Sequence, residues 1–325
     1  MTRRPLALRL ATGVAILASA ALAGAAVSDA TTTAKAPPPI VNTGYADQLA
    51  ISSATLRGSI SPNGTSVSWY FEYGTTQAYG ARTSTLPLGT SSRTIHVGAP
   101  ISGLSVFTTY HFRLVAVGPA GTTSGADHSF TTSKLPLSVM MTAAPNPVVF
   151  GNSFVVGGTL SGTGYANHPV AVQANPFPYL GTFKYVTAAE LTTTTGAFSF
   201  VVQGLTQSTQ LRVAAAASPP TYSPAVNELV AVRVSFHAKP TGRRGFVRLY
   251  GAVAPAMHGA HVGFQWLKPG GAVINVSGTT TKHGTVNAAK FGRVVRIRHR
   301  GLYRVFVAVT NGKQVSGYSR TIAIR

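Results

Sequence analysis

The chain contains no cysteine, and only six of its 325 residues are Asp or Glu. The first absence removes disulfide staples, thiol nucleophiles and thiolate metal sites together. Each folded unit must then be large enough to stand on its apolar core alone. The second absence weighs against acid–base catalysis. Past the N-terminal segment the carboxylates are Asp47, Glu72, Asp127, Glu190 and Glu228, and none follows residue 228. Hydrolysis of a glycosidic bond uses two carboxylates facing it. Glu72, on a strand face, and Asp127, near the end of its unit, read as separate surface acids instead. Calcium needs several oxygen ligands and finds few. G-x-S-x-G, H-E-x-x-H, the P-loop and the dinucleotide fingerprint are also missing. The expectation is a non-enzymatic protein with no catalytic residue, metal or cofactor.

Long apolar runs are absent beyond the N-terminus. There, "MTRRPLALRL" carries Arg3, Arg4 and Arg9, and "ATGVAILASAALAGAA" follows and ends in small residues. That order predicts a secretory signal over residues 1–26, cleaved near Ala23 to Ala26. Residues 27–39, with "TTTAKAPPP", read as an extended linker. No later segment is long and apolar enough to span a bilayer. The chain is expected outside the cell or at its surface.

What the sequence does contain is β-pattern. In "SVSWYFEYG", Val67, Trp69, Phe71 and Tyr73 alternate with Ser68, Tyr70 and Glu72, as a strand requires. "TYHFRLVAVG" repeats the pattern, turn signals such as "SPNG" and "VGPAG" punctuate it, and no amphipathic helix follows the signal. Many short strands with regular turns predict an all-β chain of sandwiches.

Residues 52–132 resemble a fibronectin type III domain of bacterial surface proteins. The resemblance is carried by "SATLRGSISPNG", "WYFEYGTTQAYG" and "ISGLSVFTTYHFRLVAVGPAGTTSGADHSFTT". It implies a tyrosine corner at Tyr110, six residues after Leu104, whose hydroxyl bonds to upstream backbone. Val106 stands where that family usually has proline. The remainder holds an internal repeat. "FVVGGTLSGTGYANHPVAVQ" aligns with "VRLYGAVAPAMHGAHVGFQ", matching Gly158 to Gly251, Leu160 to Val253 and Gln173 to Gln265. "LRVAAAA" echoes "YRVFVAV", and both copies then carry "YS" at Tyr222 and Tyr318. Each copy resembles a bacterial immunoglobulin-like repeat. The expected units are a fibronectin type III-like domain over 40–133 and immunoglobulin-like domains over 134–229 and 230–325. "NELVAVRVSF" at the last join has no Gly/Pro-rich linker, which predicts a restricted junction.

Three stretches are candidates for ligand chemistry. "HGAH" places His258 and His261 three apart, but with no third ligand it reads as a polar loop. "NPFPYLGTFKY" clusters Phe177, Tyr179, Phe183 and Tyr185. Aromatics fill sandwich cores; left outside, these four would form a patch for sugar rings or another protein. The last stretch is the basic third unit, whose residues 229–325 hold sixteen Lys and Arg and no acid. In the second, Lys184 and Arg212 offset Glu190 and Glu228. "RVVRIRHR" reads as one strand with Arg296, Arg298 and Arg300 on its outer row, and Arg293 and Arg304 are grouped with them as polyanion contacts. The implied partner is an anionic envelope polymer or polysaccharide, or another surface protein. No groove-entering element is present, so sequence-specific nucleic-acid reading is not expected. The resulting function is adhesion, spacing or envelope association, with a carbohydrate-binding accessory role as the alternative.

Overall fold

The computed structural model describes residues 37–325, so the signal segment and most of the linker lie outside the described residues. No helix occurs among them. The architecture is all-β, with three successive sandwiches around three buried cores.

In the first sandwich, Ile40–Asp47, Ser53–Ser61 and Ile95–Ser102 form one antiparallel sheet. Ser66–Gly74 and Thr109–Gly118 centre the other. The alternation read in "SVSWYFEYG" buries Val67, Trp69 and Phe71. The chain passes between sheets at a tyrosine corner. The Ser105 backbone N–H donates to the Tyr110 hydroxyl at 3.0 Å, and the Tyr110 ring stacks on Phe130.

The second and third sandwiches share one plan. Ser138–Ala144, Phe154–Ser161 and Ala197–Val202 make the first sheet of one, and Arg233–Pro240, Phe246–Ala254, Ala288–Arg296 and Lys282–Thr285 that of the other. Pro169–Pro176 and Thr209–Ala215 centre the facing sheet of one, His261–Leu267 and Gly301–Ala308 that of the other. The repeat holds atom by atom. Arg212 Nε donates to Gln173 Oε1 at 2.8 Å and its guanidinium covers the Tyr222 ring. Arg304 makes the same bond to Gln265 at 2.9 Å and covers Tyr318. The serines of both "YS" pairs accept a backbone N–H, Ser223 from Val213 and Ser319 from Val305. A further pair went unnoticed in the sequence. The buried Thr192 and Thr281 hydroxyls accept from His168 and Ala260 N–H, closing equivalent loops.

The joins are short. Ser133 N–H donates to Ala50 of the first sandwich, and Leu135 N–H donates to Thr163 of the second. Lys134 alone separates them. Between the second and third, Val230–Ala231 runs parallel to Val148–Val149. On its other side the same segment bonds Val315: Val232 N–H donates to the Val315 carbonyl and Val315 N–H to that of Val230. Gln314 Nε2 reaches the Thr206 carbonyl at 2.7 Å, and Arg233 reaches Asn152 at 3.1 Å.

Candidate polyanion-binding face

The four-stranded sheet of the third sandwich has Arg233–Pro240 and Lys282–Thr285 as edges and Phe246–Ala254 and Ala288–Arg296 inside. Alternation turns Val234, Phe236, Leu249, Val253, Phe291 and Val295 into the core. The other set must then face outward. Register brings together residues far apart in the chain. Lys239 lies opposite Arg248, and Arg248 opposite Val294. One step along, His237, Tyr250 and Gly292 form a row; one step back, Phe246 faces Arg296. At the far end Lys290 faces Lys282. All five cations are exposed. Tyr250 is 38% exposed and Val294 54%.

The electrostatics of this face work against the fold. Lys239 opposite Arg248 and Lys282 opposite Lys290 are like charges in direct cross-strand positions. Each such pair costs a sheet on the order of a few tenths of a kcal/mol. Lysine on an edge strand blocks unwanted pairing, which accounts for Lys239 and Lys282. It does not account for Arg248 and Lys290, which sit on inner strands. The three ion pairs among the described residues all lie in the first sandwich.

The basic residues singled out in the sequence divide into three groups. The strand expected over "RVVRIRHR" stops at Arg296. Ile297 tucks against the core, the His299 ring stacks on Trp266 at 4.3 Å, and the Tyr303 hydroxyl donates to the His299 carbonyl at 2.5 Å. This corner turns the chain into the other sheet, so Arg298 and Arg300 belong to an exposed loop beside Arg296 rather than to a strand row. Arg293 shares the parity of the buried Phe291 and Val295, and its guanidinium donates to the Gly278 carbonyl. Arg304 lies on the opposite sheet, committed to Gln265 and Tyr318. The five therefore do not form one patch. Lys239, Arg248, Lys282 and Lys290 were missed because cross-strand register cannot be read from spacing along the chain.

The aromatic segment of the second sandwich is also divided. None of its four rings joins the buried core. Phe177 lies against the backbone at Gly312 of the third sandwich and meets Tyr179 edge-on. Phe183 lies under the Arg212 guanidinium at 4.2 Å. Tyr185, 62% exposed, borders a groove lined by Pro169, Ala171, Ala214 and Pro220.

The acids of the first sandwich are engaged. Arg113 Nε donates to Glu72 at 2.7 Å. Asp127 accepts from His111, Tyr79 and Gln77. Partial burial pushes the Asp127 carboxyl up, but these hydrogen bonds outweigh it and hold the group below the usual carboxylate range. A carboxylate so held is no proton donor near neutrality. His258 stacks on His283 at 4.0 Å, while His261 opens the next strand.

No family model matches the chain, and no curated protein matches it. Among solved structures, the tetra-tandem repeat in the extending region of a large adhesion protein is 15% identical, with 88% of this chain and 74% of that chain covered and a TM-score of 0.33. The FN1–FN3 domains of chicken CNTN1 are 14% identical, with 88% and 98% covered and a TM-score of 0.29. The chicken interferon gamma receptor alpha chain is 12% identical, with 58% and 98% covered and a TM-score of 0.34.

Proposed function

We propose that the chain is an exported, non-enzymatic binding protein whose third sandwich holds an anionic polymer of the cell envelope and whose first two sandwiches act as spacers. The observation that carries this reading is the pair of like-charge cross-strand contacts on one exposed sheet face. A face that gives up stability to gather cations, with no carboxylate in its unit, is complementary to a polyanion. A signal over residues 1–26 would deliver it to such a polymer.

The test is retention on immobilised dextran sulfate. The full mature chain should bind at low ionic strength and elute as salt screens the face. Arg248→Gln should elute earlier and yet be more stable by a few tenths of a kcal/mol in thermal melts, because it removes a like-charge pair. Retention that ignores salt, or a variant that loses stability and keeps its retention, would sink the reading.

One observation favours the glycan-binding alternative: the exposed Tyr185 beside its apolar groove. An exposed ring can stack on a sugar. A glycan array on which wild type and Tyr185→Ala give the same hits rejects it.

A further inference from the structure

We infer that the basic sheet face of the third sandwich takes single-stranded nucleic acid, bound without regard to sequence, with phosphates on its cations and bases on its rings. The inference rests on the polyanion reading above and specifies the ligand class.

The outward positions of the strand Phe246–Ala254 begin Phe246, Arg248, Tyr250: ring, cation, ring. Outward positions recur about every 6.8 Å along a strand. A polymer recognised by charge alone needs only the cations. A polymer that alternates charged groups with flat rings uses both, and stacking platforms along a positive track are how proteins hold single strands. The strands on either side continue the pattern. His237 lies opposite Tyr250, its ring 5.5 Å away, and Arg296 lies opposite Phe246. The Arg243 guanidinium covers Phe246 at 4.2 Å, and a guanidinium plane also stacks on bases.

Gly292 stands next to Tyr250 on the other inner strand. A Cβ there would come within 3.4 Å of the Tyr250 Cβ. With glycine in place, the neighbouring inner strand sets no side chain opposite Tyr250, whose ring is flanked by His237 at 5.5 Å and by the Arg248 guanidinium at 5.9 Å.

What this face omits narrows the ligand further. Its outward positions hold no Asn, Gln, Asp or Glu. Those are the side chains that pair with adenine or accept from cytosine, so those base edges go unread and stacking, which every base offers, sets the sequence tolerance. The four-stranded sheet presents neither the helix nor the two-stranded ribbon that fits a duplex major groove.

The experiment is fluorescence anisotropy on the full mature chain with three probes at matched low salt. They are a labelled oligothymidylate, an abasic oligomer of equal charge, and sodium polyphosphate as competitor. Thymidylate should bind about tenfold tighter than the abasic strand, and Tyr250→Leu should weaken thymidylate about fivefold or more. The abasic strand and polyphosphate should respond little to Tyr250→Leu, while Arg248→Gln weakens all three. Phe246→Leu is the second ring variant, with circular dichroism confirming that each variant folds. Equal affinity for thymidylate and abasic strands overturns the assignment and leaves the polyanion reading standing. So does stronger competition by anionic vesicles or dextran sulfate, added in place of polyphosphate at the same salt. Failure to bind any of these anions at low salt overturns both.

Discussion

Glu228 is the residue whose environment departs most from its chemistry. Its side chain is fully buried at the join of the second and third sandwiches. One oxygen accepts the Val148 N–H at 3.1 Å, and the other is buried without a partner. Burial pushes the carboxyl up to about 7, against the opposing pull of that hydrogen bond. The sign follows from linkage. An acid that is harder to ionise when folded favours folding while it stays protonated, so its contribution is full below the ordinary value of 4.5 and is lost as pH rises toward about 7. At 1.36 kcal/mol per pKa unit the loss is at most ~3 kcal/mol. Glu228→Gln should therefore raise the melting temperature clearly at pH 8 and barely at pH 5, as parallel calorimetric scans would show. In the sequence Glu228 looks like one surface charge offsetting Arg212. Its burial arises only when "NELVAVRVSF" is packed against Val148 and Ser208, residues that are remote in the chain.

Gly158 and Gly251 show how far the repeat extends into packing. A Cβ at Gly158 would lie 2.0 Å from the Met140 carbonyl oxygen and 2.6 Å from the Phe198 ring. At Gly251 the same distances fall to the Ser235 carbonyl and the Phe291 ring. In both units the glycine lets a phenylalanine from the third strand lie across the second. Gly158→Ala and Gly251→Ala should each cost about 1–3 kcal/mol by overpacking. Gly242→Ala, with nothing within 4 Å of its new Cβ, should be close to neutral. Urea titrations of the three variants would decide it. Patterns that run along one strand or recur at a fixed spacing were legible. The alternation of Val67, Trp69 and Phe71 was one, the corner at Tyr110 another, and the pairing of Gln173 with Gln265 a third. Contacts that depend on which strand lies beside which were not. That is why Lys239 and Arg248 stay separate in the sequence, and why "YRVFVAV" shows a strand beginning at Tyr303 but no second tyrosine corner. Period two continued on paper through "RVVRIRHR", where the chain actually bends at Ile297 to bury the His299–Trp266 stack.

Across the whole molecule, charge and connectivity are unevenly placed. Among the described residues the carboxylate side chains lie in the first two sandwiches and their junctions, and the third has cations alone. Its neighbour is held by backbone and side-chain bonds, whereas a single residue, Lys134, separates the first and second sandwiches. The parallel contacts near the ends of the last two units bear on a different property. In the second, Val148–Val149 near its entry lies beside Val230–Ala231 at its exit. In the third, Val234 near its entry bridges Ser319 close to its exit, again in parallel. Strands paired this way slide lengthwise past each other when a unit's two ends are drawn apart, so their hydrogen bonds share the load in shear instead of opening one by one. Among the described residues the first sandwich has no such parallel pair. Stretched by its termini, the chain should yield there first. A flexible insertion in a surface loop of the first sandwich should then lengthen the earliest step of a single-molecule pulling trace and leave later steps unchanged. The two parallel clamps would make the second and third sandwiches the mechanically stronger part of the chain.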